Sequence, residues 1–155
     1  MKAKCKMQNG KCKMQNGKGM KRNAERQGNQ ALAARVPRDL SERLLGFAVR
    51  VGKVVNALPA TRLGRHIAAQ LIRSGTSAAP NYEEGCAAES RADFVHKLSI
   101  CLKELRESRR WLRLILRVPM TRDEKQVQAL VGETEELILI FAKSIKTAKA
   151  GGVGR

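Results

Sequence analysis

Five arginines, Arg106, Arg109, Arg110, Arg113 and Arg117, recur at steps of three and four residues in one stretch of this 155-residue chain. On a helix that spacing puts all five guanidinium groups on one face. A guanidinium is planar and permanently charged, and a pair of its N–H groups matches two oxygens of a phosphate. Lys97 and Lys103 extend the same basic surface. Such a surface suits RNA or DNA held by charge, with contacts to the phosphate backbone and no element that reads base edges. Glu104 and Glu107 fall within the stretch and are expected to neutralise part of it. A solvated, self-paired face is therefore the competing reading.

Other chemistry-bearing residues point away from catalysis. Arg73, Thr76, Asn81 and Glu84 surround Pro80 in a segment of small and polar residues. They are expected to form a buried polar cluster that satisfies backbone groups freed by the proline, with an active-site role for Asn81 and Glu84 as the alternative. A di-metal carboxylate centre in a helical bundle needs two Glu-x-x-His units and two further glutamates. This chain has one Asp93-x-x-His96 and one other histidine, His66. Cys86 and Cys101 have no paired base in sequence and read as small buried hydrophobes. Cys5 and Cys12 have six residues between them, more than the two to four of a zinc knuckle, and reduced thiols are expected. The segment "GKGMK" lacks P-loop spacing. Neither enzyme activity, metal nor cofactor is expected. Trp111 either stacks on a base or packs at the core edge or a subunit interface.

The elements that must position these residues are helices. Hydrophobic residues make up 43% of the chain and aromatics only 3%, a composition that favours helix packed on helix. Asp39 with Glu42 reads as a capping pair, and Leu40, Leu44, Phe47, Ala48, Val51, Val54, Val55 and Leu58 fall on one helical face before Pro59. A second helix starts near Thr61, with Leu63, Ile67, Leu71 and Ile72 as its expected inner face. Gly75 and Pro80 are expected to kink or interrupt it, and the small side chains there to admit a neighbouring helix closely. Ser90, with Asp93 three residues on, caps a third helix of about 25 residues, some 37 Å long. Phe94, Leu98, Cys101, Leu102, Leu105, Leu112, Ile115 and Leu116 form its stripe, and Pro119 breaks it. The fourth helix carries Asp123 and Glu124 at its start and Lys146 and Lys149 near its end, which suits the helix dipole. Its inward residues are Val127, Leu130, Val131, Thr134, Leu137, Ile138, Phe141, Ile145 and Ala148. Four amphipathic helices with short connections predict an all-α, antiparallel up-down-up-down four-helix bundle over residues 37–149.

The N-terminus is of another kind. "KCKMQNG" occurs twice in tandem from Lys4 to Gly17, without apolar periodicity. Residues 1–36 are expected to be a disordered basic tail, and 150–155 a second disordered tail. Back-translated as AAA TGC AAA ATG CAA AAT, Lys-Cys-Lys-Met-Gln-Asn is the heptanucleotide AAATGCA read through three frames. The expectation is a tail translated from simple-sequence DNA, with a nucleic-acid-binding arm as the alternative. Of the formal charge of +17, residues 1–38 carry 11 basic residues against one acidic, or +10, which leaves +7 on the remainder. The body is basic without its tail, and such a field draws polyanions. No run reaches the length of a membrane span and no apolar signal segment is present, so no membrane association and a cytoplasmic location are expected.

"LIRSGTSAAPNYEEG", then "SRADFVHKLSICLKELRESRRWL", then "LILIFAKSIKTAK" resemble the bacterial four-helix-bundle family whose founding members are encoded by intervening sequences in large-subunit ribosomal RNA genes. The likeness spans about Leu40 to Lys149 and rests on Arg73-Ser-Gly-Thr-Ser, Asn81-Tyr-x-Glu84-Gly, Phe94, Glu104 and Trp111-Leu112. It implies a left-handed antiparallel bundle assembled as a ring-like homopentamer. A more distant resemblance, to the accessory variability protein of diversity-generating retroelements, implies a basic pentamer that binds nucleic acid and a protein partner.

Overall fold

The structure, a computed structural model, describes residues 39–118 and 120–150. The predicted N-terminal tail, the side chain of Asp39 with its expected capping role, Pro119 and residues 151–155 lie outside the described residues. Four helices follow one another: α1 (Asp39–Ala57), α2 (Arg62–Cys86), α3 (Arg91–Arg117) and α4 (Glu124–Ala150). The short connections turn each helix back along the one before it. α1 packs on α2, α2 on α3 and α3 on α4, while α1 meets α4 to close the antiparallel bundle.

Local chemistry explains the boundaries. The Thr61 hydroxyl accepts a hydrogen bond from the Gly64 N–H at 3.0 Å, and the Ser90 hydroxyl one from the Asp93 N–H at 3.1 Å. Each satisfies an N–H that the first helical turn leaves without a partner. The Asp123 carboxylate does the same for the Gln126 N–H at 3.0 Å. The corner between α1 and α2 requires glycine at position 64, because a Cβ there would stand 2.0 Å from the Pro59 carbonyl oxygen.

The apolar stripes meet as the spacing predicts. Leu40, Leu44, Phe47, Val51 and Val54 of α1 are buried, as are Phe94, Leu98, Cys101, Leu105, Leu112 and Ile115 of α3. All the predicted inward residues of α4 are buried except Ile145, which is partly covered. α2 departs from expectation. Ile67 and Leu71 are sealed, but Leu63 and Ile72 are exposed. Their places on the inner face go to Gly64, Ser74, Gly75, Ala78, Tyr82 and Gly85. The predicted close approach follows: a Cβ on Gly75 would lie 2.7 Å from Val51 Cγ1, and one on Gly85 3.1 Å from Leu98 Cδ1. α2 also runs through Pro80 without interruption. Pro80 lacks the N–H that would reach the Thr76 carbonyl, and nearby side chains turn back onto this stretch. Thr76 donates to the Ile72 carbonyl at 2.7 Å, Ser77 to that of Arg73 at 2.6 Å and Asn81 to that of Ser77 at 2.8 Å.

Two buried acids make the core sensitive to high pH. Tyr82 packs edge-on against Phe141 with ring centroids 5.9 Å apart, and the Cys101 thiol donates to the Ala78 carbonyl at 3.4 Å. Burial pushes the Cys101 thiol from its ordinary 9.0 up to about 12. Burial also raises the Tyr82 phenol, helped by its hydrogen bond with Cys86. Both groups hold their protons more tightly folded than unfolded, so their stabilisation is complete below about pH 9 and is lost as pH rises toward 12. The urea midpoint is expected to fall with rising pH above about 9. Cys101 is expected to resist alkylation until the chain unfolds, as read by mass spectrometry of the labelled peptides.

Candidate nucleic-acid interface

α3 carries the candidate site. Its inner face is occupied by the core stripe, which leaves the opposite face to solvent along the helix. Arg106, Arg110, Arg113 and Arg117 are exposed there, with Lys103 further toward the start, and Arg109 is half-buried beside α4. Arg106, Arg109, Arg110, Arg113 and Arg117 line a shallow groove of about 560 Å³ together with Trp111 and Leu114. A second groove of about 640 Å³ continues toward the start of α3, lined by Ser99, Leu102, Lys103, Arg106, Glu107, Arg110 and Trp111. Arg106, Arg110 and Trp111 belong to both.

The cations of this face differ in what they pair with. Arg109 approaches Glu135 of α4 at 3.9 Å. Among the described residues, no carboxylate comes within ion-pair distance of Lys103, Arg106, Arg110, Arg113 or Arg117. Lys97 is different: its ammonium meets Glu84 of α2 at 2.5 Å, and that carboxylate raises its pKa. Lys97 is a clasp between α2 and α3, not an open part of the ridge. Like charges one turn apart oppose helix formation by about 0.2–0.5 kcal/mol per pair. Arg106 with Arg110, Arg109 with Arg113, and Arg113 with Arg117 each carry that cost.

Glu104 and Glu107 form no ion pair with the ridge among the described residues, although Glu107 lines the second groove beside Lys103, Arg106 and Arg110. Both turn toward α2, where Arg73 ion-pairs with Glu107 and lies 3.6 Å from Glu104. Glu107 also accepts the Trp111 indole N–H at 3.3 Å. The indole in turn meets His66 of α2 nearly at right angles, with ring centroids 5.7 Å apart. Arg43 performs a comparable task between α1 and α4, bound to Glu133 at 2.7 Å and Glu136 at 2.5 Å.

The expected buried cluster of Arg73, Thr76, Asn81 and Glu84 does not form. Arg73, Thr76 and Glu84 are exposed and Asn81 is half-buried. Arg73 and Glu84 reach across to α3, whereas Thr76 and Asn81 serve carbonyls of their own helix. The buried polar group lies one face over. Ser108 Oγ stands 3.0 Å from Ser74 Oγ and 3.0 Å from the Glu104 carbonyl oxygen, sealed within the α2–α3 seam. Glu104 is 8% exposed, and its Oε2 has no hydrogen bond among the described residues, leaving Arg73 as its compensating charge. The sequence signal for Ser108 was the gap in the α3 stripe between Leu105 and Leu112, which Ser108 fills at helical spacing. Cys86 is half-buried and Cys101 buried, and neither forms a disulfide among the described residues. Among the described residues, no three His, Cys, Asp or Glu side chains gather as a metal site requires, and no helix is long and apolar enough to cross a membrane.

Comparison with known proteins agrees with this architecture. Residues 39–143 match the family model described as 23S rRNA-intervening sequence protein. A crystal structure from Bacteroides thetaiotaomicron, described as a protein with unknown function from the S23 ribosomal protein family, is similar at 34% identity and a TM-score of 0.62. The similarity covers 68% of this chain and 97% of that one. No curated protein matches the chain. The family match takes in all of α1 to α3 and most of α4, including every residue of the arginine ridge, and the chain belongs to the 23S rRNA-intervening sequence protein family.

Proposed function

We propose that this protein binds RNA or DNA electrostatically through the outer face of α3, without catalysis, as an oligomeric accessory of a larger nucleoprotein. The observation that carries the reading is the run Arg106, Arg110, Arg113 and Arg117. These four guanidinium groups line one groove, and among the described residues none has a carboxylate within ion-pair distance. Their mutual repulsion is a cost that the monomer leaves without compensation and that phosphates would relieve. The arginines stand on a rigid helix, so binding does not require them to be gathered from flexible loops. The family's name ties its members to ribosomal RNA genes, and a nucleic-acid partner fits that setting.

Self-association would multiply the effect. Leu45 and Val49, one turn apart on α1, are each 53% exposed, and Leu139 on α4 is 70% exposed. Covering these side chains in a ring of like subunits would repeat the basic face around the assembly, and weak phosphate contacts would act together. The same apolar side chains favour a second reading, in which they dock a different protein and the charge serves solubility alone.

A salt series separates the two. The full-length chain and a shorter one of residues 36–155 are each titrated with RNA and with duplex DNA. Logarithmic affinity for duplex DNA is expected to fall with logarithmic salt at a slope of about −0.9 per neutralised phosphate. The slope is expected to persist in the shorter chain. Binding that disappears with residues 1–35 would move the activity to the repeat. Absence of binding in both chains would favour the docking reading.

A further inference from the structure

The basic face contains more than charge. A surface that met phosphates alone would need only cations, yet both grooves reach Trp111, with Leu114 beside it in one and Leu102 contributing to the other. The indole is held in place. Its N–H donates to Glu107 at 3.3 Å, its ring meets His66 at 5.7 Å, and Glu107 is itself fixed by Arg73. A ring whose one polar group is already bonded offers a new ligand only its π surface. A ring whose rotamer is already fixed loses little freedom on binding. The core explains the covered half of the indole, which packs against buried neighbours. It does not explain why the exposed part of the indole lines both grooves together with Arg106 and Arg110, the two cations common to them.

That combination fits one form of nucleic acid. In a duplex the base faces are stacked on one another, and an aromatic ring outside the backbone has nothing to receive. An unpaired strand presents phosphates and base faces together, and aromatic rings inside positive grooves are how single strands are held without sequence preference. We propose that the α3 grooves take an unpaired nucleic-acid strand, with one base stacked on Trp111 and its flanking phosphates held by Arg106 and Arg110. This deepens the electrostatic reading above and rests on it. The two grooves together run from Ser99 to Arg117, about 27 Å along the helix.

Trp111 is the chain's single tryptophan, so its emission reports on the site directly. The full-length protein is titrated with oligouridine and with a blunt RNA duplex of equal phosphate count, and binding is followed in parallel by anisotropy of dye-labelled RNA. Oligouridine is expected to quench the tryptophan emission in step with binding, while the duplex binds without quenching. Trp111→Leu is expected to weaken oligouridine binding by about five- to hundredfold and duplex binding far less. Trp111→Phe, which keeps an aromatic face, is expected to retain most of the affinity. The emission titration uses the unsubstituted chain and stands whether or not the leucine variant folds. Oligouridine binding with unchanged emission would overturn the stacking proposal and leave the electrostatic reading intact. Loss of neither affinity in a folded Trp111→Leu would do the same. Failure of both RNAs to bind would overturn both.

Discussion

Replacing Arg106, Arg110 and Arg113 together by glutamine is expected to lower RNA affinity at moderate salt by roughly ten- to hundredfold and to flatten the salt slope by about two. The three guanidinium groups line one groove on the outer face of α3, and none has an ion-pair partner among the described residues. Their removal therefore breaks no internal salt bridge. It relieves like-charge repulsion between Arg106 and Arg110, so thermal stability is expected to hold or rise slightly. A loss of affinity accompanied by unfolding would not support the interface, whereas a loss with stability unchanged would. The matched control is Arg73→Gln. Arg73 is as basic as the ridge but is committed to Glu104 and Glu107. Its replacement leaves Glu104 as a buried carboxylate without its compensating charge, and the expected effect is on stability more than on the salt slope. Affinity that falls equally in both variants would show that net charge, and not the α3 face, drives binding.

Phe141→Ala is expected to cost about 3–5 kcal/mol, the range for removing a fully buried aromatic ring. Phe141 is 1% exposed on α4 and receives Tyr82 of α2 edge-on across the bundle. The substitution thus opens a cavity and removes an aromatic pair that joins two helices not adjacent in sequence. A domain of this size typically has only about 5–15 kcal/mol of stability, so the variant should be close to unfolded at modest temperature. In urea the midpoint should drop with little change in the slope of the transition. Phe141→Leu keeps most of the volume and is expected to cost less than about 1.5 kcal/mol. An alanine variant within about 1 kcal/mol of the parent would mean that the bundle collapses around the site and that Phe141 is not a keystone between α2 and α4.

α3 spends one stripe on the core and must put its remaining residues somewhere. The flank toward α2 carries Glu84–Lys97 and the group of Arg73, Glu104, Glu107 and Trp111. The flank toward α4 carries Arg109 with Glu135. The groove arginines other than Arg109 stand on the crest between the flanks, where none has an ion-pair partner among the described residues. By their positions along α3, Glu104 and Glu107 were expected to neutralise part of the ridge. The fold pairs both with Arg73 of α2 instead, while Glu107 still lines the groove it shares with Arg106 and Arg110.

Helix positions and most of the core were legible in the residues, because the relevant physics is local. A hydroxyl on the residue just before the first helical turn accepts the N–H three residues on, and Thr61 and Ser90 do so here. Apolar residues at helical spacing share a face before any partner arrives, and the stripes of α1, α3 and α4 are buried accordingly. α2 was the exception. Leu63 and Ile72 satisfied the spacing but lie outside the inner face, which takes Gly64, Ser74, Gly75 and Gly85 beside Ile67, Leu71 and Tyr82; α1 comes too close at Gly75, and α3 at Gly85, for a larger side chain. The charged residues were not legible in the same way. Glu84 meets Lys97 across a turn, Arg43 meets Glu133 and Glu136 across most of the chain, and Arg73 takes both glutamates of the ridge stretch. Ion pairing depends on which flanks are brought within a few ångströms of each other, a property of helix rotation and register that no single helix encodes. Periodicity could therefore place five arginines on one face of α3, and only the packed bundle could separate the cations with partners from those that remain open.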